Sequence, residues 1–339
     1  MTTVDRVANG ESAALRLLRA RELGIVLALA LLFGVTAAAN PRFLSGQSLR
    51  DLLLGATILT VLAIGQTLVI VTRNVDLSVG SILGLTAFAT GKLFLAAPDT
   101  PILVAIAVGA ALGAVCGVVN GGLVAAARVP ALVVTLGTLY IYRGIDHWWA
   151  AGQQINAVDM PRAFLRLGTA TVAGVPVLAL VAVAVVVVAG WCLSAYRSGR
   201  ELYAIGSDPD AARLSGIPVG RRVFLAFVAN GALAGLAGVL HAARFGTLDA
   251  TVGTGLELQV IAAAVVGGVA IFGGSGSVYG AAVGALLLTT IGTSLAVLRV
   301  NPFWQRALVG LLILAAIGLD RVLAVRIDRR LRGSGPHGA

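Results

Sequence analysis

Charge is scarce in this 339-residue sequence. Only 12% of its residues are Asp, Glu, Lys or Arg, and 58% are hydrophobic. A soluble domain carries roughly 25% charged residues. The mean hydropathy of +0.95 agrees with an integral membrane protein. Short segments of alternating polarity are also missing, which excludes a transmembrane barrel. Long apolar runs separated by brief polar stretches fit helices, each satisfying its own backbone hydrogen bonds in lipid.

Other scarcities exclude chemistry. Lysine occurs once, at Lys92, so 24 of the 25 basic residues are arginine. They fall at the ends of apolar runs, so the net charge of +10 reads as a membrane-orientation signal, with no nucleic-acid partner. Cysteine occurs twice, at Cys116 and Cys192 inside separate apolar runs, which gives no disulfide or metal framework. The three histidines, His147, His241 and His337, are scattered, and no HExxH or GxxxxGK[ST] stretch appears. Ser275 in "GGSGS" lacks a strand-turn-helix setting and a nearby base. The chain is therefore not read as an enzyme, and no cofactor or metal is expected. The spans also lack a ladder of carboxylates, which argues against a proton-driven carrier.

Long apolar runs and glycine are abundant. About 20 apolar residues cross a bilayer, and ten stretches qualify: 23–39, 52–72, 77–97, 102–127, 131–150, 172–195, 222–243, 257–273, 278–298 and 305–325. With a cytoplasmic amino terminus, 16 basic residues lie on interior segments and nine on outer ones, so both termini are expected inside. The organisation is then a cytoplasmic segment 1–22, an all-α ten-span domain 23–325, and an Arg-rich tail 326–339. The first span ends "VTAAANP", resembling a signal-peptide cleavage site. Its basic lead is long for one, and cleavage would place the termini on opposite sides.

The 43 glycines recur every four residues in several spans: Gly113, Gly117 and Gly121; Gly231 and Gly235; Gly276, Gly280 and Gly284; Gly80 and Gly84. That spacing lays small residues on one helix face, as close helix packing in lipid requires. A smooth sliding face at a gate is the alternative. A faint parallel echo relates 55–91 to 258–292, each an apolar run, a polar-glycine break and another run.

Two polar stretches stand out. "TRNVDLSVGS" places Arg73, Asn74, Asp76 and Ser78 between apolar runs. A charge in the bilayer centre costs roughly 2.5–3.5 kcal/mol. Three readings remain open. Asp76 caps the next helix with Ser78 in support, or the break lines a pathway or gate, or Arg73 pairs with Asp76. The longest interior loop, about 196–222, contains "SDPDAARLSGIP", which reads as a short helix. Asp208 caps it, Pro209 starts it, Gly216 ends it, and Pro218 follows.

Four blocks in order resemble the permease subunits of bacterial ABC importers of the ribose, xylose, rhamnose and autoinducer-2 type. They are "GQTLVIVTRNVDLSVGSILGLTA", "VNGGLVAAARVPALVVTLGTLYIYRGI", "GRELYAIGSDPDAARLSGIPV" and "GTGLELQVIAAAVVGGVAIFGGSGSVYGAAVGALLL". The resemblance covers about 40–325. It implies a permease in the bacterial cytoplasmic membrane, served by an extracytoplasmic sugar-binding protein. A second permease subunit, identical or paralogous, completes the pathway, and separate ABC subunits bind and hydrolyse ATP. It also implies that the interior loop docks on the ATPase, with Asp208, Ala212, Arg213, Leu214 and Gly216 as coupling residues. Asn74, Asp76, Ser78, Asn120 and Thr135 are the candidates for the pathway or gate. Permeases for branched-chain amino acids or nucleosides, or an ATP-independent carrier, are the alternatives.

Overall fold

The computed structural model describes residues 24–301, 303–312, 314–315 and 318. The expected segment 1–22, the tail 326–339 and the later part of the span 305–325 lie outside these residues.

Among the described residues twelve α-helices are labelled in chain order: α1 Gly24–Ala39, α2 Gly46–Ile70, α3 Val79–Ala96, α4 Ile102–Ala125, α5 Ala131–Ala150, α6 Arg162–Thr169, α7 Val177–Ala195, α8 Arg197–Ser207, α9 Pro209–Leu214, α10 Val219–Phe245, α11 Leu256–Val266 and α12 Val278–Val297. Residues 303–312 are helical again. Six of these helices, α2, α3, α4, α7, α10 and α12, are long and apolar enough to cross a membrane; α1 and α11 are apolar but shorter. The fold is nearly but not wholly helical. A two-residue hairpin pairs Thr171–Val172 with Val175–Pro176, so α7 begins at Val177 rather than at 172. Gly174, at φ +84°, supplies its turn.

Each expected span contains a helix, and the largest discrepancy is at 257–273. There α11 stops at Val266, because Gly267 packs against the Gly280 carbonyl and Gly268 takes φ +99°. Residues 267–277 form an irregular connector instead. It touches the other predicted break: the Gly274 amide donates to the Val71 carbonyl at 3.0 Å, and Gly273 lies against Arg73. The two breaks of the echo thus meet at one end of the bundle.

α2 is the central helix, with residues 56–67 buried without interruption. α4 and α10 approach most closely. A Cβ on Gly231 would meet the Gly117 amide nitrogen at 2.8 Å, and one on Gly113 would meet Gly235 Cα at 2.8 Å. The ridges Gly113–Gly117–Gly121 and Gly231–Gly235 are thus the two sides of one contact. Gly280 and Gly284 seat α12 on α11 in the same way. Gly276 is not part of that ridge. It precedes α12, takes φ +142° and lies against Val269. Outward faces stay apolar: Leu132, Tyr140 and Trp148 of α5 and Val183, Val187 and Trp191 of α7 are exposed, as lipid contact requires.

Candidate functional site: a buried polar hub and the capped helix beneath it

After α2 the chain leaves the helix at Val71, and Arg73 takes the left-handed conformation at φ +64°. This turn folds residues 74–78 back against α2. Asp76 becomes fully buried. One of its carboxylate oxygens accepts from the Ser78 amide at 2.8 Å and the Ser78 hydroxyl at 2.6 Å. The other accepts from Asn230 Nδ2 of α10 at 2.9 Å and, more weakly, from Asn120 Nδ2 of α4 at 3.5 Å. Asn120 also donates to the Ser78 hydroxyl at 2.8 Å, and Tyr142 of α5 donates to Asn120 Oδ1 at 3.3 Å. With its amide turned to satisfy both groups, Gln66 of α2 brackets the Asp76 backbone at 3.1 and 3.2 Å. Thr135 Oγ1 donates to the Val75 carbonyl at 3.3 Å. Four helices therefore converge on one connector. A carboxylate so placed is tolerated because both oxygens are hydrogen-bonded.

This arrangement revises the three readings of "TRNVDLSVGS". Ser78, not Asp76, is the N-cap residue of α3, and its side chain makes no capping bond. Asp76 closes a local turn onto Ser78 and bonds across to α4 and α10. The Arg73–Asp76 pair does not form. Arg73 reaches the other way, donating to the carbonyls of Gly206 and Ser207 at the end of α8. Asn74 does not join the hub, because its amide turns back onto Thr72. Of the pathway or gate candidates, Asp76, Ser78, Asn120 and Thr135 are brought together around this connector. Sequence reasoning missed Gln66, Tyr142 and Asn230. A lone polar residue within each apolar run was the available signal.

Below the hub lies α9. Asp208 caps it, accepting from the amides of Asp210 at 2.9 Å and Ala211 at 3.0 Å. Those amides hold the Asp208 carboxyl below its usual range, with Arg73 adding to the effect. Pro209 begins the helix, and Gly216 at φ +78° follows its end, a conformation that suits glycine. Arg213 pairs with Asp210 at 3.0 Å, both exposed. Leu214 is 91% exposed, whereas Ala212 is buried against Ile205 and Phe227. Ala212 therefore seats the helix and does not lie on its outer face.

The preceding "loop" is the 11-residue helix α8, which sequence reasoning missed. Its buried Glu201 accepts from Arg197 Nε at 2.7 Å and from Arg222 Nε at the start of α10. The Arg222 hydrogen bond is the main cause of a Glu201 carboxyl held below its usual range, with Arg197 assisting. Charge-assisted bonds of this kind are strong. The Arg222 bond locks α8 to α10, the Arg197 bond lies within α8, and Arg73 locks the α2–α3 connector to α8.

Comparison with known proteins identifies this architecture. The family model "Branched-chain amino acid transport system / permease component" matches residues 48–317. The chain belongs to this permease family. It is 40% identical over 316 residues, 93% of its length and 91% of theirs, to the autoinducer 2 import system permease proteins LsrC of Enterobacter sp. (strain 638) and Klebsiella pneumoniae subsp. pneumoniae. It is 38% identical over 312 residues to LsrC of Escherichia coli (strain K12 / DH10B), covering 92% of this chain and 90% of that one. No solved structure matches it. The permease is a multi-pass membrane protein of this family, and among the described residues six helices are long and apolar enough to cross a bilayer.

Proposed function

We propose that this permease forms the translocation pathway of a binding-protein-dependent ABC importer in the bacterial cytoplasmic membrane. Its cargo is an autoinducer-2-like monosaccharide. The observation that carries this reading is collinear similarity across nine-tenths of the chain to permeases of autoinducer 2 import. The family description mentions branched-chain amino acids, but these relatives favour a sugar.

In this reading ten spans place both termini in the cytoplasm, with the segments 1–22 and 326–339 there. The chain has no ATPase chemistry of its own. A separate subunit binds ATP, a second permease subunit completes the pathway, and an extracytoplasmic binding protein delivers the sugar. α9 offers Leu214, Arg213 and the Asp208 cap to the ATPase, with Gly216 setting its exit. Arg73 carries movement of α8 and α9 to the connector, and the Asp76 hub passes it to α3, α4 and α10. Asp76, Ser78, Asn120 and Thr135 thereby border or control the pathway, with Asn74 beside them on the connector, held to Thr72.

The test is a mild-detergent purification of the tagged chain from its native membrane. The reading expects an ATP-binding subunit in the eluate and ATP-dependent uptake of autoinducer-2 after reconstitution with the binding protein. A chain that purifies alone and moves solute without ATP would replace the importer with a carrier.

A further inference from the structure

The Asp76 hub has little acceptor capacity to offer a cargo, because both carboxylate oxygens are already engaged. A different carboxylate has its capacity free. Asp146 of α5 is wholly buried, and neither of its oxygens receives a hydrogen bond. Its nearest cation is Arg143, one helical turn earlier, at 3.9 Å. Arg143 is engaged elsewhere: Nη1 donates to the carbonyls of Ala250 at 2.9 Å and Val252 at 2.6 Å.

Those carbonyls belong to a non-helical segment, 246–255, which runs along α3. Leu248 packs near Gly91, the Val252 carbonyl lies over Gly84, and the Gly253 carbonyl lies over Gly80. α11 then begins, with Glu257 beside Gly80. A Cβ on Gly84 would stand 3.2 Å from Asp146 Oδ2 and 2.9 Å from Arg143 Nη1. The α3 glycines therefore make room for this segment and for the charged pair beneath it.

A buried carboxylate without a hydrogen bond is costly, and in the importer reading, where α5 is one of the ten spans, an ionisable group within it marks a functional site by default. We propose that Arg143 and Asp146 form a hydroxyl-recognition site for the passing sugar, closed in this conformation by the 246–255 segment. Displacing the segment from α3 frees the Arg143 donors and uncovers the Asp146 acceptors together. A guanidinium donor beside a carboxylate acceptor matches vicinal hydroxyls, which donate and accept at once. This inference rests on the importer reading and names where the cargo is held.

The test is reconstitution of the complete complex with autoinducer-2-loaded binding protein, measuring ATP hydrolysed and sugar moved in the same vesicles. Asp146→Ala is expected to assemble and hydrolyse ATP, but to spend about tenfold or more ATP per sugar moved, the scale of losing a charged hydrogen bond. Asp146→Asn, which keeps the shape and one acceptor, is expected to fall between the two. Unchanged ATP per sugar in both variants would overturn the site. A parallel loss of ATP hydrolysis and transport in both would assign Asp146 a structural role and overturn it equally. If the wild-type complex moves no autoinducer-2 with ATP, the importer reading itself fails, an outcome distinct from either.

Discussion

Asn230 and Asp76, 154 positions apart in sequence, are joined by a 2.9 Å hydrogen bond in the interior of the bundle. The bond ties the middle of α10 to the break before α3. Arg73, three residues earlier on the same connector, grips the end of α8. One short stretch thus links the exposed helix α9 to the helices that pack around α2.

Asp76→Ala removes the acceptor for donors from Ser78, Asn120 and Asn230. A stranded buried donor costs about 1–3 kcal/mol. Membrane insertion, set by apolar span length, is expected to persist, whereas uptake drops sharply. Quantifying the membrane-inserted chain beside uptake checks this, and normal uptake in the variant would remove Asp76 from the working parts.

α4 and α10 touch backbone to backbone at their glycines. Gly231→Val is expected to prise them apart, and overpacking of this kind typically costs about 1–3 kcal/mol. A lowered melting temperature of the purified complex is the readout. Gly144→Ala on α5, where a Cβ meets nothing within 4 Å, is the matched control and should leave it unchanged.

Gly216 takes φ +78°, which proline, fixed near −65°, cannot adopt. Gly216→Pro is expected to redirect the chain leaving α9 and detach or uncouple the ATPase. Leu214→Asp, on an exposed side chain, is expected to weaken ATPase co-purification while the permease stays as stable as wild type. An intact complex with full transport-stimulated ATP hydrolysis in both variants would clear α9 of a docking role.

Glu201 carries a sign-definite pH signature. Its carboxyl titrates below the ordinary value of about 4.3 because Arg222 and Arg197 hold the charged form. Its contribution to stability is present above that value and is lost as pH falls through the lower, folded-state value. The melting-temperature difference between wild type and Glu201→Gln should be constant from about pH 6 to 8 and shrink as the solution becomes strongly acidic. A difference that grows on acidification would contradict the pairing.

Apolar runs read directly as helices because each must satisfy its own backbone bonds in lipid. For α4 and α5 the observed starts coincide with the expected ones. The Asp208 cap and the Gly216 exit were also legible, being local and chemically specific. Partnerships were not. Nothing near Asp76 in sequence announces Asn230 or Gln66, and an Asp beside an Arg suggests a pair that the left-handed turn at Arg73 prevents. α8 was hidden because its buried face is small and includes Gly199, Glu201 and Gly206. α11 reads seven residues too long, to 273 rather than Val266, because Val269, Ile271 and Phe272 continue the apolar run after Gly267 and Gly268 have ended the helix. Asp146 went unnoticed because its burial depends on a segment a hundred residues further on.

The most direct measurement of the central claim is autoinducer-2 uptake into vesicles holding the permease with its co-purified ATP-binding subunit, with and without ATP. Uptake that requires ATP, the loaded binding protein and an intact ATPase site on the partner is the predicted result. Equal uptake without ATP, or by the permease alone, would contradict it.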